Sequence, residues 1–184
     1  PELRLRELTV PGQVFKQGQG WTRRVGMVLL LCLLVSGVAA ADFPRADRVV
    51  IKKSERLLLL MRGDEIMKST RIALGLEPEG HKRQEGDFRT PEGSYVLADR
   101  NPNSDFFLSI RVSYPNSTDE RNASRLGVSP GGMIMIHGQP NEPKYNAEFY
   151  RRTDWTDGCI AVSNSDMVDI WLMTDENTPI TIMP

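Results

Sequence analysis

The sequence predicts a β-rich α+β domain, sandwich-like, with one or two short helices. Three observations carry that prediction. Short apolar runs recur from Val49 to Met183, separated by Gly, Pro, Asn and Asp clusters. In one run, Leu108, Ile110 and Val112 alternate with Ser109, Arg111 and Ser113, the period of a strand with one buried face. Only two segments read as helices, a polar one over 116–126 and one that Ser163 or Asn164 caps.

In chain order, 48–53 and 56–61 read as two strands around a Lys-Ser-Glu turn, and 65–74 as a third beyond Arg62-Gly63-Asp64. Residues 75–93 read as a loop punctuated by Pro78, Gly80, Gly86 and Pro91. Strands follow at 95–98 and 107–114. Residues 116–126 form a short polar helix that Gly127 ends. After a Pro130-Gly131-Gly132 turn, Met133-Ile134-Met135-Ile136 is apolar on both faces, as a covered central strand is, and it ends at His137-Gly138. Ile160-Ala161-Val162 is a short buried run. Ser163 or Asn164 caps a helix over 166–173, with Asp166 and Asp169 near its positive end, and 179–183 is the last strand.

Residues 1–41 do not read as part of this fold. Arg23-Arg24 precede 17 uncharged residues, Val25 to Ala41, closing on Ala39-Ala40-Ala41. That is the pattern of an export signal cut after Ala41, and the run is short for a spanning helix. The expected organisation is therefore a leader over 1–41 and one domain over 42–184, with membrane contact only through the signal segment. The leader holds 5 of the 23 basic and 2 of the 24 acidic residues, so the remaining 143 residues carry a net charge of −4. No basic stripe exists, which argues against nucleic-acid binding.

Removing the leader removes Cys32 and leaves Cys159 without a disulfide partner in its own chain. An unpaired thiol in an oxidising compartment asks for a chemical reason. A thiol attacks carbonyls as thiolate, and histidine is its usual activator. His137 ends the covered strand, 22 positions before Cys159, and Gly138 lets the backbone turn there. Gly158 removes bulk where a carbonyl would approach, and amides near Cys159 suit an oxyanion. Other readings stay open at this point. A lone Cys is commonly a small buried hydrophobe, and a lone His at a strand end is commonly structural. Zinc on His137, Asp157 and Cys159 would lack a fourth protein ligand. His81, in a charged loop, reads as solvated.

Met133-Ile134-Met135-Ile136-His137-Gly138 followed by Thr156-Asp157-Gly158-Cys159-Ile160-Ala161-Val162-Ser163 resembles the catalytic pattern of the L,D-transpeptidase (YkuD-type) domain. Thr90-Pro91-Glu92-Gly93-Ser94-Tyr95 and the strand from Ile110 also resemble that family, and the likeness covers roughly residues 46–184. The resemblance implies an L,D-transpeptidase-like β-sandwich with no metal and no organic cofactor. It implies a periplasmic enzyme that forms a cysteine acyl-enzyme on peptidoglycan stem peptides, in cell-wall crosslinking or remodelling. On that pattern Cys159 is the nucleophile and His137 its base. Gly158, Gly138, Thr156 and Asp157 belong to oxyanion stabilisation and positioning.

Two positions depart from the pattern: Asp157 stands where the family commonly has His, and Ala161 where it often has Arg. The Asp157 carboxylate either orients His137 or is solvated. Arg151, Arg152 or Arg111 could replace the lost substrate contact. The segment 139–155 is long for the family and reads either as a packed surface loop or as a lid. These departures resemble a Gram-negative periplasmic branch in which a murein-linked lipoprotein is a further partner, released by hydrolysis. A reading from another class is a murein-binding module with a dead site.

Overall fold

Arg48–Lys52 (β1) and Leu57–Arg62 (β2) form an antiparallel hairpin, and Glu65–Arg71 (β3) adds to β2 across a register shift at Leu60/Met61. The hairpin bends where the sequence places Lys-Ser-Glu, and Val49, Ile51, Leu58 and Leu60 turn to the core with no exposure. The computed structural model describes residues 43–184; the expected leader lies outside the described residues. Pro179–Met183 (β8) inserts parallel to β1 and antiparallel to Gly93–Ser104 (β4).

β4 is the hinge of the fold. Its first residues, Gly93 to Val96, pair with β8, and the rest, from Leu97, pair with Phe107–Val112 (β5). Met135–His137 (β6) then pairs antiparallel with β5, and Ile160–Ala161 (β7) parallel with β6. The order is β3-β2-β1-β8-β4-β5-β6-β7, and the two halves face a shared core of Leu97, Ile110, Ile136, Ile160, Ile180 and their neighbours. The outer edges also meet. Beyond β3, Ala73 exchanges backbone hydrogen bonds with Ala161 at 2.8 and 2.9 Å, and Gly75 bridges Thr156. The sheet thus closes on itself, which satisfies edges that would otherwise be open.

β4 is longer than the predicted 95–98. Asn101 to Ser104 have little strand propensity, but pairing with β5 recruits them. β6 begins at Met135 rather than Met133, and His137 ends it as expected, paired to Ser109 and Ala161. The third strand stops at Arg71 rather than running to Leu74.

Among the described residues three helices complete the fold, one more than the upper expectation. Ser117–Leu126 (α1) starts from a capping box between Asn116 and Asp119 and ends at Gly127 with φ 69°. Ala147–Arg152 (α2) is a six-residue helix inside the segment read as loop or lid, capped by Asn146. Asn164–Met173 (α3) is capped by Ser163, whose Oγ accepts the Asp166 N–H at 3.1 Å. Met167 and Ile170 of α3 enter the core, and Lys68 on β3 holds Asp169 at 2.6 Å and Asp166 at 2.9 Å. No helix among the described residues is long and apolar enough to cross a membrane.

Candidate active site

The parallel pair β6–β7 sets the geometry. Ile136 faces Ile160 across the register, and both point into the core with no exposure. Side chains alternate along a strand, so Met135, His137 and Cys159 share the opposite face. There Cys159 and His137 line one cavity of about 510 Å³, with Phe106, Ser109, Trp155 and Asp157 among the other walls. A cross-strand row of Asn101, Ser109 and His137 lines it. Asn101 and Ser109 escaped the sequence reading, because they meet His137 only through register.

His137 is 4% exposed, between the rings of Phe106 (centroids 4.6 Å apart) and Trp155 (5.6 Å). Burial disfavours its charged form and lowers its pKa to about 4, against a smaller opposing effect of the Gly138 carbonyl. That carbonyl lies 2.7 Å from Nδ1. A carbonyl only accepts, so Nδ1 carries the proton and Nε2 is left as a lone-pair acceptor.

Gly138 does not supply the sharp turn expected of it, because its φ is not positive. It is needed for space: a Cβ there would sit 2.6 Å from Asn164 Oδ1 and 3.0 Å from Phe107 Cβ. Its N–H is shared between the carbonyls of Phe106 (3.0 Å) and Leu108 (3.2 Å).

The Cys159 thiol is half-buried and hydrogen-bonded to the strand before His137 rather than to His137 itself. It points to the Met133 carbonyl at 3.5 Å and receives the Met135 N–H at 3.4 Å. Met133 holds φ 56°, a left-handed conformation unusual for a side-chain-bearing residue. Desolvation raises the Cys159 pKa, the Met135 N–H and the more distant Lys82 charge lower it, and Asp157 raises it. Burial thus favours the uncharged form of both groups, thiol and imidazole.

Thr156 shapes the turn that presents the thiol. It is 5% exposed; its Oγ1 donates to the Cys159 carbonyl at 2.7 Å and accepts the Gly158 N–H at 3.2 Å. That bond occupies the Gly158 amide within the turn. Gly158 itself holds φ 130°, and a Cβ there would lie 2.6 Å from the Arg89 carbonyl. The turn is docked by Thr156 N to Leu74 O (3.1 Å) and Leu76 N to Thr156 O (3.0 Å). Just upstream, Asp154 accepts from Arg56 Nη2 at 2.7 Å and from Leu74 N at 2.9 Å.

Other expectations need correction. Asp157 does not orient His137; its exposed carboxylate has no hydrogen bond or ion pair among the described residues. Arg151 and Arg152 lie outside the cavity on α2, where both pair with Glu148. Arg111 also lies outside it, held to Asp99 at 2.7 Å. His81 is not solvated: its Nδ1 accepts the Glu92 N–H at 3.0 Å and its Nε2 lies 3.2 Å from Asp119 Oδ1. No group of three or more His, Cys, Asp or Glu among the described residues could hold a metal, so the zinc reading has no ligand set.

The described residues thus form a closed sheet with a Cys and a His on one cavity wall. The sequence profile of the YkuD family, the L,D-transpeptidase catalytic domain, matches residues 46–182, and the chain belongs to that family. It is 37% identical over 62 residues to YafK of Escherichia coli (strain K12), a stretch covering 32% of this chain and 23% of that protein. Among solved structures it resembles the helical cell shape determining protein Pgp2 from Campylobacter jejuni, with TM-score 0.55 and 24% identity, covering 79% of this chain and 51% of that one. It also resembles Bd1075 from Bdellovibrio bacteriovorus, with TM-score 0.52 and 23% identity over 79% of this chain and 50% of that one. These two likenesses establish the fold. The chain spans about half the length of either solved protein.

Proposed function

We propose that this protein is an exported, periplasmic cysteine acyltransferase that remodels peptidoglycan by acylating Cys159 with a stem peptide. The observation that carries this reading is the shared cavity wall. Cys159 and His137 face it from adjoining strands, and Gly138 occupies Nδ1 so that Nε2 is the free base.

In the acylation step, Nε2 takes the Sγ proton as Sγ bonds to the substrate carbonyl carbon. The Cys159 N–H stabilises the oxyanion. As the carbonyl re-forms, the C–N bond breaks and the leaving amine takes the proton from Nε2. The thioester is then attacked by an amine, giving transfer, or by water, giving hydrolysis, and His137 takes the attacker's proton. Because burial favours the neutral form of both groups, deprotonation accompanies attack, in contrast to enzymes that hold a preformed thiolate–imidazolium pair. Stem peptides linked to a murein-bound lipoprotein enter by the same acylation. A dead-site murein-binding module is disfavoured by the Gly138 carbonyl at Nδ1, which leaves Nε2 of His137 free on the wall that carries the thiol.

The test is incubation with purified sacculi, with and without an added D-amino acid, followed by muropeptide mass analysis. Exchanged stems would mean transfer and released fragments alone hydrolysis. An unchanged muropeptide profile in both arms would sink the proposal.

A further inference from the structure

A second cavity, of about 520 Å³, lies on the other side of Phe106 and Trp155, which line both. Its remaining wall comes from the long segment before Cys159 and from α2. Tyr145 and Phe149 stack with centroids 4.2 Å apart and 32° between planes. Tyr150 packs edge-on to Trp155 at 5.1 Å. Tyr145 is 59% exposed although it belongs to this stack, so a large aromatic face is left open to solvent.

The rim is polar and unoccupied by the protein itself. Among the described residues, the Glu142 carboxylate, the Lys144 ammonium and the Thr153 hydroxyl have no hydrogen-bond or salt-bridge partner, though all three line the cavity. The Tyr150 hydroxyl, in contrast, is occupied, accepting the Lys144 N–H at 3.0 Å. An open aromatic face bordered by a free acceptor, a free cation and a hydroxyl suits a ring that is apolar on its face and polar around its edge. An aliphatic chain would use the aromatic face alone and leave the exposed rim groups to water. A pyranose ring meets both demands: its axial C–H bonds lie on the aromatic face and its equatorial hydroxyl and amide groups reach the rim.

We propose that this second cavity is a glycan subsite, which holds an amino-sugar ring of the strand that bears the stem peptide whose carbonyl reaches Cys159. This rests on the function proposed above. The wall between the cavities is one layer of side chains, and three extended residues span roughly 10 Å, so one substrate can occupy both. The segment 139–155 then acts neither as inert loop nor as lid; it selects substrates by their sugar.

Two measurements test the subsite. In the first, the peptide-free disaccharide of N-acetylglucosamine and N-acetylmuramic acid is titrated into Cys159→Ala protein, followed by tryptophan fluorescence. Saturable binding that Tyr145→Ala weakens about fivefold to tenfold, and that Tyr145→Phe restores, is expected. In the second, KM is compared for a disaccharide-linked tetrapeptide and the same tetrapeptide without sugar. The sugar should lower KM about fivefold to tenfold in the wild type, and the ratio should fall to about one in Tyr145→Ala and in Glu142→Ala. Equal KM for the two donors in the wild type, or a ratio unchanged by Tyr145→Ala, would overturn the subsite. So would tighter binding of the sugar-free peptide than of the disaccharide to the Tyr145-dependent site. Thermal melting of each variant separates loss of the ring from loss of the fold. If neither donor acylates Cys159, the proposed function fails, while the disaccharide titration still reads the subsite by itself.

Discussion

The two histidines of the described domain occupy opposite kinds of surroundings. His81 sits in a polar brace: one nitrogen takes a backbone N–H, the other faces Asp119, and Asp119 also accepts from the Tyr95 hydroxyl at 3.1 Å and from Asn116 N at 2.9 Å. His137 sits between aromatic rings with a single hydrogen bond, from Nδ1. The first ties the 75–92 loop to α1. The second keeps a nitrogen free, in a dry setting, on the wall that carries the thiol. The difference teaches that a histidine is chemically available when its neighbours leave one nitrogen without a partner, whatever its burial.

The comparison breaks most sharply at the thiol. Cys159→Ala should lower turnover of diaminopimelate-containing muropeptides by more than about 10⁴-fold, measured by chromatography and mass spectrometry. Activity retained by that variant would remove the chemistry from this cavity altogether. His137→Gln should cost about 10²–10⁴-fold in kcat, since it removes the base and leaves the pocket filled.

His137 also predicts a stability trend. Its folded pKa, about 4, lies below its unfolded value, so between those two pH values the unfolded chain binds the extra proton. Stability is present above the unfolded pKa and is lost as pH falls toward 4, by about 3 kcal/mol from this residue. Urea unfolding at pH 7 and pH 4 should show that loss in the wild type and a smaller one in His137→Gln.

Alkylation of Cys159 by iodoacetamide should climb about tenfold per pH unit from pH 6 to 8, because burial raises the thiol pKa. A plateau in that range would mean a preformed ion pair and would erase the contrast drawn for His137. His81→Ala should act on the brace alone, lowering stability by about 1–2 kcal/mol, with kcat/KM within about threefold of wild type. Smallest of all, Arg151→Ala and Arg152→Ala should each change stability by less than about 0.5 kcal/mol and KM by less than about twofold, given their exposed pairing to one glutamate.

Much of this was written locally in the chain. The β1–β2 hairpin, the period-two strand 107–112, the Ser163 cap and the Gly127 stop all depend on neighbours a few residues away. The His-Gly and Gly-Cys motifs were each legible locally, and together they carried the family resemblance. What only the tertiary structure decided depends on register and on which carbonyl meets which nitrogen. Pairing across the sheet put Ser109 and Asn101 beside His137, lengthened β4, and turned Ala73 into a clasp on Ala161. Packing made Gly138 a matter of space, took the Gly158 amide for Thr156, and left Asp157, Arg111, Arg151 and Arg152 away from the roles their charges suggested. Local sequence fixes periodicity and caps because those energies act within a turn or two. The partner of a hydrogen-bonding group is chosen by residues far along the chain, and that choice exists only once the sheet has closed.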